Sequence, residues 1–185
     1  SLIGLSLVGM RWLLCYLCPR LYPKLLPVLT WVSISGGLHL DGFIDCCDGL
    51  LVAKPPEVRL EILRDTAVGA YGILGAIILM LMKYVALTVL PDKNGWAALL
   101  LAPVLGRWAM VYVTACFPYA RSSGVGWLCK EHVSWRELGW ATFTVLAVAL
   151  ASGPALGLAA FLAVGTCATL FARWTMAQIQ GLTGD

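Results

Sequence analysis

Long apolar runs dominate this sequence and determine the class of fold that it can adopt. Each run is close to, or somewhat short of, the roughly 20 residues that cross the hydrocarbon core of a bilayer. Backbone groups in lipid must satisfy their own hydrogen bonds, which favours helices. We therefore predict an all-α, polytopic transmembrane helix bundle of about six helices. The runs cover residues 1–19, 25–40, 69–90, 96–116, 138–152 and 154–171.

The composition agrees with a membrane as the solvent. Apolar residues make up 60% of the 185 residues and charged residues only 12%, which excludes an ordinary water-soluble globular domain. This apolar surface is expected to contact the lipid bilayer. The net charge of +3 is small and its basic residues are scattered, so we expect no binding of nucleic acid. We predict one integral membrane domain over residues 1–185, truncated at both ends. The oligomeric state stays open, with a homo-oligomer as one alternative.

The connections between the runs predict how the chain is oriented. Two long polar connections, residues 50–68 and 117–137, carry six of the thirteen basic residues. By the positive-inside rule they face the cytoplasm, which predicts a multi-pass protein of the cell inner membrane with its polar site on that side. Arg20 and Lys24, in the "PRLYPK" segment, would lie on the opposite side and count against this orientation.

One run has a stripe of small residues that indicates close helix packing. Residues 69, 72 and 75 are Gly and residue 76 is Ala. Such a stripe lets a neighbouring helix approach closely. We therefore expect these positions to pack against another helix.

The stretch "GGLHLDGFIDCCDGL", residues 36–50, concentrates acidic residues in an otherwise apolar chain. In a helix, the spacing of Asp41, Asp45 and Asp48 places three carboxylates within an arc of roughly 60°. Each intramembrane Asp costs about 2.5–3.5 kcal/mol unless a positive group compensates it. Mg²⁺ is the first candidate, because it binds carboxylates and bridges them to substrate phosphates.

Basic residues follow the acidic stretch and extend the predicted site. Lys54, Arg59, Arg64 and Asp65 lie in the connection that comes directly after it. Metal-bound carboxylates together with phosphate-binding cations suit an in-line displacement at phosphorus. The pattern predicts Mg²⁺-dependent transfer of a phosphate-linked group between a nucleotide carrier and an alcohol.

Three further polar residues are candidates for this site. Arg107 lies within an apolar run, so we expect it to face the bundle interior and pair with an acid or a phosphate. Arg121, in "YARSSGVGW", precedes a Gly-containing loop whose amides could approach an anion, although a plain loop is an equal alternative. His39 projects roughly opposite Asp41, which favours a structural or hydrogen-bonding role, and it is a weaker candidate for substrate contact.

A structural interpretation of the acidic residues is also open. Three Asp residues near a helix end are typical of a solvated cap, and Asp41-Gly42 is a common turn dipeptide. The clustering of all three residues on one face favours the metal site.

The stretch 36–50 resembles the signature of the cobalamin synthase family, the adenosylcobinamide-GDP ribazoletransferases. A histidine, three Asp residues and flanking glycines in this spacing are not expected by chance in an apolar sequence, so this match is specific. Weaker matches to later phrases of the family follow in the same order. They are "RLEILRDTAVGAYGILG" at 59–75, "GR" at 106–107, "YAR" and "GVG" within 119–126, and "GLTGD" at 181–185.

The resemblance implies a specific reaction in a bacterial or archaeal cell membrane. It is transfer of the cobinamide phosphate of adenosylcobinamide-GDP to α-ribazole or its 5′-phosphate, with Mg²⁺ and release of GMP, late in cobalamin biosynthesis. The implied metal ligands are Asp41, Asp45, Asp48, Asp65 and Asp185, of which the first four are also catalytic. The implied substrate contacts are His39, Lys54, Arg59, Arg64, Arg107 and Arg121.

Two other functions compete with this one. A CDP-alcohol phosphotransferase also aligns intramembrane Asp residues, but Asp45-Cys46 stands where its D-G-x-x-A-R motif requires Ala-Arg. A cation transporter could use the three Asp residues as an ion site. It would not need the nearby arginines, and the acidic phrase has no inverted repeat.

Overall fold

The computed structural model describes residues 25–90, 95–121 and 124–184, with Leu5, Ser6, Val8, Gly9 and Leu13. Most of the predicted run 1–19, the "PRLYPK" segment, residues 91–94 and Asp185 lie outside the described residues. The chain divides into two compact units, residues 1–100 and 101–184, and each is described by itself.

Every regular element in the described ranges is a helix, which confirms the all-α prediction for that part of the chain. An isolated parallel bridge joins Tyr119 and Leu182. The helices are α1 (Leu25–Ile34), α2 (Leu38–Leu50), α3 (Pro56–Ile62), α4 (Ala70–Val89), α5 (Gly95–Cys116), α6 (Val125–His132), α7 (Trp135–Ser152) and α8 (Pro154–Ile179).

Three helices in the described part of the chain are long and apolar enough to cross a membrane. They are α4, α5 and α8, with 20, 22 and 26 residues. These helices are consistent with the predicted membrane protein, and the predicted number of about six spans is not confirmed. The predicted run 138–152 forms most of α7. The first turn of this helix also contains Arg136 and Glu137, which precede the run.

The predicted run 25–40 is not one continuous helix, because it is interrupted at residues 35–37, between α1 and α2. Gly36 and Gly37 adopt φ angles of 60° and 74°, a left-handed conformation that glycine adopts readily and other residues rarely. The amides of both glycines donate to carbonyls in the last turn of α1, as at a helix C-terminus. The acidic residues therefore lie on α2, a separate helix of 13 residues.

The first unit is organised by close packing of α2 against α4. A Cβ added at Gly75 would lie 2.5 Å from the Sγ atom of Cys47, and one added at Gly72 would lie 2.7 Å from Ile44. These glycines therefore leave the space that α2 occupies, which confirms the predicted packing role of the small-residue stripe. The long connection 50–68, predicted only as a polar loop, contains the short helix α3. This helix begins at Pro56, and proline is favoured at the first position of a helix.

The second unit is built around an α7–α8 hairpin and a face of α5. Val145 and Ala149 of α7 are fully buried. The Trp108 ring on α5 stacks on Tyr112 with centroids 5.3 Å apart, and its Nε1–H donates to Thr142 on α7 at 3.0 Å. This apolar core, with its paired indole N–H, holds α5 to the hairpin. The core residues are Leu101, Val104, Leu105, Trp108, Val145 and Ala149.

Candidate functional site

The acidic residues of α2 become more buried along the helix. Because α2 is helical from Leu38 to Leu50, Asp41, Asp45 and Asp48 share the predicted face. Asp41 is exposed, Asp45 is half-buried and Asp48 is buried. Gly42 lies inside the helix, so the interpretation of Asp41-Gly42 as a turn was wrong.

Asp48 contacts the N-terminus of α4. One of its carboxylate oxygens accepts a hydrogen bond from the Gly69 amide at 2.8 Å, and the other accepts one from the Gly72 amide, also at 2.8 Å. Gly69 is the N-cap residue of α4 and provides no side-chain cap of its own. Amides in the first turn of a helix lack intrahelical partners, and the helix dipole favours a negative charge there. Asp48 therefore caps α4 from a neighbouring helix.

The donor chemistry of Asp41 and Asp45 fits Mg²⁺, although no three-ligand cluster is preformed among the residues that the structure describes. Within the described ranges, no group of three or more His, Cys, Asp or Glu side chains is placed to hold a metal ion. Mg²⁺ commonly binds through one or two carboxylates and completes its coordination with water and substrate phosphates. Two oxygen-donor side chains one turn apart on α2 meet that requirement. Asp185, a predicted ligand, lies outside the described residues.

Arg59 is buried and supports the backbone of the first unit. It is 9% exposed, its Nε donates to the Lys54 carbonyl at 2.7 Å, and an Nη donates to the Leu50 carbonyl at 2.6 Å. These contacts join α3 to the end of α2. They give Arg59 a structural role, and its phosphate contact stays a prediction.

The exposed segment that follows α3 contains two other predicted site residues. Arg64 and Asp65 are exposed, and a carboxylate oxygen of Asp65 accepts the Ala67 amide at 3.0 Å, which forms a local Asx turn. Lys54, in the 51–55 connection, and His39, in the first turn of α2, are also exposed. This segment leads directly to Gly69, whose amide is held against α2 by Asp48.

Arg107 does not face the core of the second unit, so the prediction of an inward orientation was wrong. It is exposed on α5. The buried face of α5 is formed by Leu101, Val104, Leu105 and Trp108, and at 100° per residue Arg107 projects roughly 110° away from the centre of that face. This orientation removes the burial argument for a pairing partner.

Three phrases of the sequence meet in the second unit. The Ala120 amide donates to the Leu182 carbonyl at 2.8 Å, and the Leu182 amide donates to Pro118 at 2.9 Å. A Cβ added at Gly126 would overlap the Tyr119 hydroxyl, and one added at Gly181 would lie 2.5 Å from the Ala120 amide nitrogen. The "YAR", "GVG" and "GLTGD" phrases are therefore in contact, and Arg121 is half-buried beside them.

Sequence analysis missed the role of Lys130, which it counted only as a loop charge. The Lys130 ammonium donates to the carbonyls of Thr114 at 2.6 Å and Ala115 at 3.2 Å, in the last turn of α5. A cation at a helix C-terminus is stabilised by the dipole. Lys130 lies on α6, well past the end of α5 at Cys116, so no local sequence pattern indicated which carbonyls it reaches.

Comparison with known proteins identifies what the chain resembles. The family model described as "Cobalamin-5-phosphate synthase" matches residues 1–185. Proteins named adenosylcobinamide-GDP ribazoletransferase are similar over most of the chain. One from Geotalea daltonii is 37% identical over 99% of this chain and 74% of its own length. Another from Herpetosiphon aurantiacus is 33% identical over 100% of this chain and 74% of its own length.

A third relative of the same name, from Roseiflexus sp., is 37% identical over 85% of this chain. The match covers 59% of that relative's own length. No solved structure matches the chain.

Proposed function

The chain belongs to the cobalamin-5-phosphate synthase family, and on that premise we propose that it is an adenosylcobinamide-GDP ribazoletransferase. In the proposed reaction, a ribose hydroxyl of α-ribazole, or of its 5′-phosphate, attacks the phosphorus that carries the cobinamide. A new P–O bond forms, the P–O bond to GMP breaks, and the hydroxyl proton is released. The products are GMP and adenosylcobalamin or its 5′-phosphate.

The observation that carries this proposal is the family match over residues 1–185. The geometry of the first unit supports it, because two phrases of the resemblance are in direct contact there. Asp48, from the 36–50 phrase, accepts the amides of Gly69 and Gly72 from the 59–75 phrase. The end of α2, which carries the acidic residues, therefore lies against the start of α4.

We assign the metal-binding role to Asp41 and Asp45. Mg²⁺ bound by these carboxylates would neutralise negative charge on the phosphoryl oxygens of the substrate. Asp41 is exposed and Asp45 half-buried, so both can meet a substrate that arrives from solvent. Asp65, exposed in the 64–68 segment, is a further acid of the proposed site.

We assign diphosphate binding to exposed cations of the same unit. Arg64 and Lys54 are exposed, and their side chains can form charge-assisted hydrogen bonds with phosphate oxygens. In the second unit, Arg121 stays the proposed phosphate contact, beside the junction of the 119–126 and 181–184 phrases. Arg107 and His39 stay weaker proposals, since both are exposed on helices.

The proposed enzyme is a multi-pass protein of a bacterial or archaeal inner membrane, with its site toward the cytoplasm. The three apolar helices α4, α5 and α8 support insertion in a membrane. The long basic connections support the orientation, and a cytoplasmic site would have access to a soluble nucleotide-linked substrate.

The direct test is an assay of GMP release by the purified protein in detergent or liposomes. Adenosylcobinamide-GDP and α-ribazole are supplied with and without Mg²⁺, and a chelator provides the metal-free control. We expect GMP release that requires both the ribazole and Mg²⁺. GMP release without ribazole would indicate hydrolysis, and equally fast release of CMP from a CDP-alcohol in the presence of an acceptor alcohol would contradict the assignment.

A further inference from the structure

We propose that Asp48 is a positioning residue that clamps the exposed loop 64–68 to α2, and that it is not a metal ligand. This inference rests on the proposed function, because it concerns how Arg64 is held for the nucleotide substrate. It changes the role of one of three acids that share a helix face.

Both ends of the loop are attached to consecutive residues of α2. At the first end, Leu63 is 3% exposed and packs so closely on Gly49 that an added Cβ there would lie 2.5 Å from Leu63 Cγ. At the second end, the amides of Gly69 and Gly72 donate to Asp48. The loop is therefore fixed at two points that are one residue apart on the same helix.

Between those points, the loop is exposed and has local order. All five residues from Arg64 to Val68 are exposed, and the Asp65 carboxylate accepts the Ala67 amide. An exposed segment with few contacts of its own relies on its ends for a defined position. The amides of Arg64 and Asp65 also donate to the Glu61 carbonyl in α3, so α3 and the two attachments together set the position of Arg64 relative to α2, which carries Asp41 and Asp45.

The surroundings of Asp48 satisfy its charge without a metal ion. Asp48 is 9% exposed, and each of its oxygens accepts an amide hydrogen at 2.8 Å. Amide hydrogen bonds and the positive end of the α4 dipole both stabilise a negative charge. A Cβ added at Gly72 would lie 2.3 Å from one oxygen, so α4 closes that side of the carboxylate.

The test compares Asp48→Asn with Asp45→Asn and Gly72→Ala. The Asn side chain loses one acceptor and places an NH₂ group against an amide. We expect Asp48→Asn to raise the KM for adenosylcobinamide-GDP roughly tenfold while the Mg²⁺ concentration for half-maximal activity stays within about twofold of wild type. Asp45→Asn should instead raise that Mg²⁺ concentration. Gly72→Ala keeps the carboxylate but crowds it, and should resemble Asp48→Asn.

A second measurement does not require activity. Trypsin cleavage after Arg64 in detergent should become roughly tenfold faster in Asp48→Asn and Gly72→Ala, because the loop must leave its anchors to enter the protease. Cleavage after the exposed Arg136 provides the internal reference. Asp45→Asn should cleave at the wild-type rate.

The outcomes separate the clamp from a metal site and from the proposed function. A shifted Mg²⁺ dependence in Asp48→Asn, with wild-type cleavage after Arg64, would overturn the clamp and restore Asp48 as a ligand. If Asp48→Asn cannot be purified, Gly72→Ala decides, since unchanged cleavage in that variant would also overturn the clamp. Absence of GMP release by the wild type would reject the proposed function, while the cleavage rates would still test the clamp.

Discussion

The guanidinium of Arg59 lies 2.6 Å from the main-chain carbonyl of Leu50, the last residue of α2. A second hydrogen bond of 2.7 Å joins its Nε to the Lys54 carbonyl. One buried cation thus pairs with two backbone acceptors, including an orphan carbonyl at the end of a helix. This contact and the Asp48 cap lie next to each other in the chain, so the end of α2 is fixed from both α3 and α4.

Arg59→Ala should destabilise the protein by roughly 2–4 kcal/mol, because it removes two charge-assisted bonds and leaves the buried Leu50 carbonyl without a donor. Thermal unfolding in detergent measures the loss. Arg64→Ala is the matched control, since Arg64 is exposed and its removal should change stability by no more than about 0.5 kcal/mol. Equal effects of the two substitutions would contradict the assigned role of Arg59.

The α7–α8 hairpin provides a pair of glycines with opposite expectations. A Cβ added at Gly157 would lie 2.1 Å from the Ala149 carbonyl oxygen, whereas one at Gly139 would meet nothing within 4 Å. Gly157→Ala should therefore cost about 1–3 kcal/mol, and Gly139→Ala should stabilise its helix by about 0.5–1 kcal/mol. Thermal unfolding of both variants checks this, and a stable Gly157→Ala variant would contradict the close packing.

Much of the helical framework could be predicted because long apolar runs favour helices in lipid. The runs 69–90 and 96–116 correspond to α4 and α5 within a residue. The break at Gly36 and Gly37 was missed because both residues are compatible with an apolar run until their left-handed backbone is seen.

The candidate site was less predictable, because its decisive contacts join residues distant in sequence. The spacing of Asp41, Asp45 and Asp48 predicted their shared face, since that depends only on the helical period. The partner of Asp48 is more than 20 residues away, so local pattern could not reveal it. The direction of Arg107 was also hidden, since almost every residue around it is apolar and no stripe marks the buried face.

Acid should weaken the cap at the start of α7. Glu137 accepts the Ser134 amide at 2.9 Å and also bonds the Ser134 hydroxyl. These bonds lower the pKa of Glu137 from its ordinary value. The largest cause is the hydrogen bond from the Ser134 hydroxyl, and the backbone hydrogen bonds come next. A carboxyl whose pKa is lower in the folded state stabilises the fold above its unfolded pKa, and this stabilisation is lost as the pH falls through the folded pKa.

The difference in Tm between wild type and Glu137→Gln should therefore be largest near neutral pH and should shrink as the pH falls below the ordinary pKa of a glutamate. Thermal unfolding across this range, with Glu131→Gln as an exposed control, provides the measurement. A difference that stays constant with pH would contradict the cap.

The orientation of the chain predicts which positions react from each side of the membrane. Single cysteines replace Glu57 and Glu131 in a background without the seven native Cys; both glutamates are exposed. If the connections 50–68 and 117–137 face the cytoplasm, an impermeant maleimide should label them only after cells are permeabilised. A cysteine at Lys93, in the short connection 91–95, should react in intact cells. The reverse pattern would contradict the orientation.

Asp45→Asn tests the metal site on α2 directly. Asn keeps the size of Asp but removes the charge, so Mg²⁺ binding and the stabilisation of phosphoryl charge should both weaken. We expect GMP release to fall by at least the roughly 10–100-fold typical of lost support at a metal site. Asp45 lies in the middle of α2, so a loss of activity would not reflect a lost cap of α2 itself.

The same variant must remain folded for this result to concern the metal. Membrane yield and Tm of Asp45→Asn should stay close to wild type, and Glu57→Gln, an exposed acid on α3, should keep full activity. Because a weakened site fills at higher ion concentration, part of the lost rate should return as Mg²⁺ is raised. Wild-type GMP release with an unchanged Mg²⁺ dependence would exclude Asp45 as a ligand and leave Asp41 to be tested in the same way.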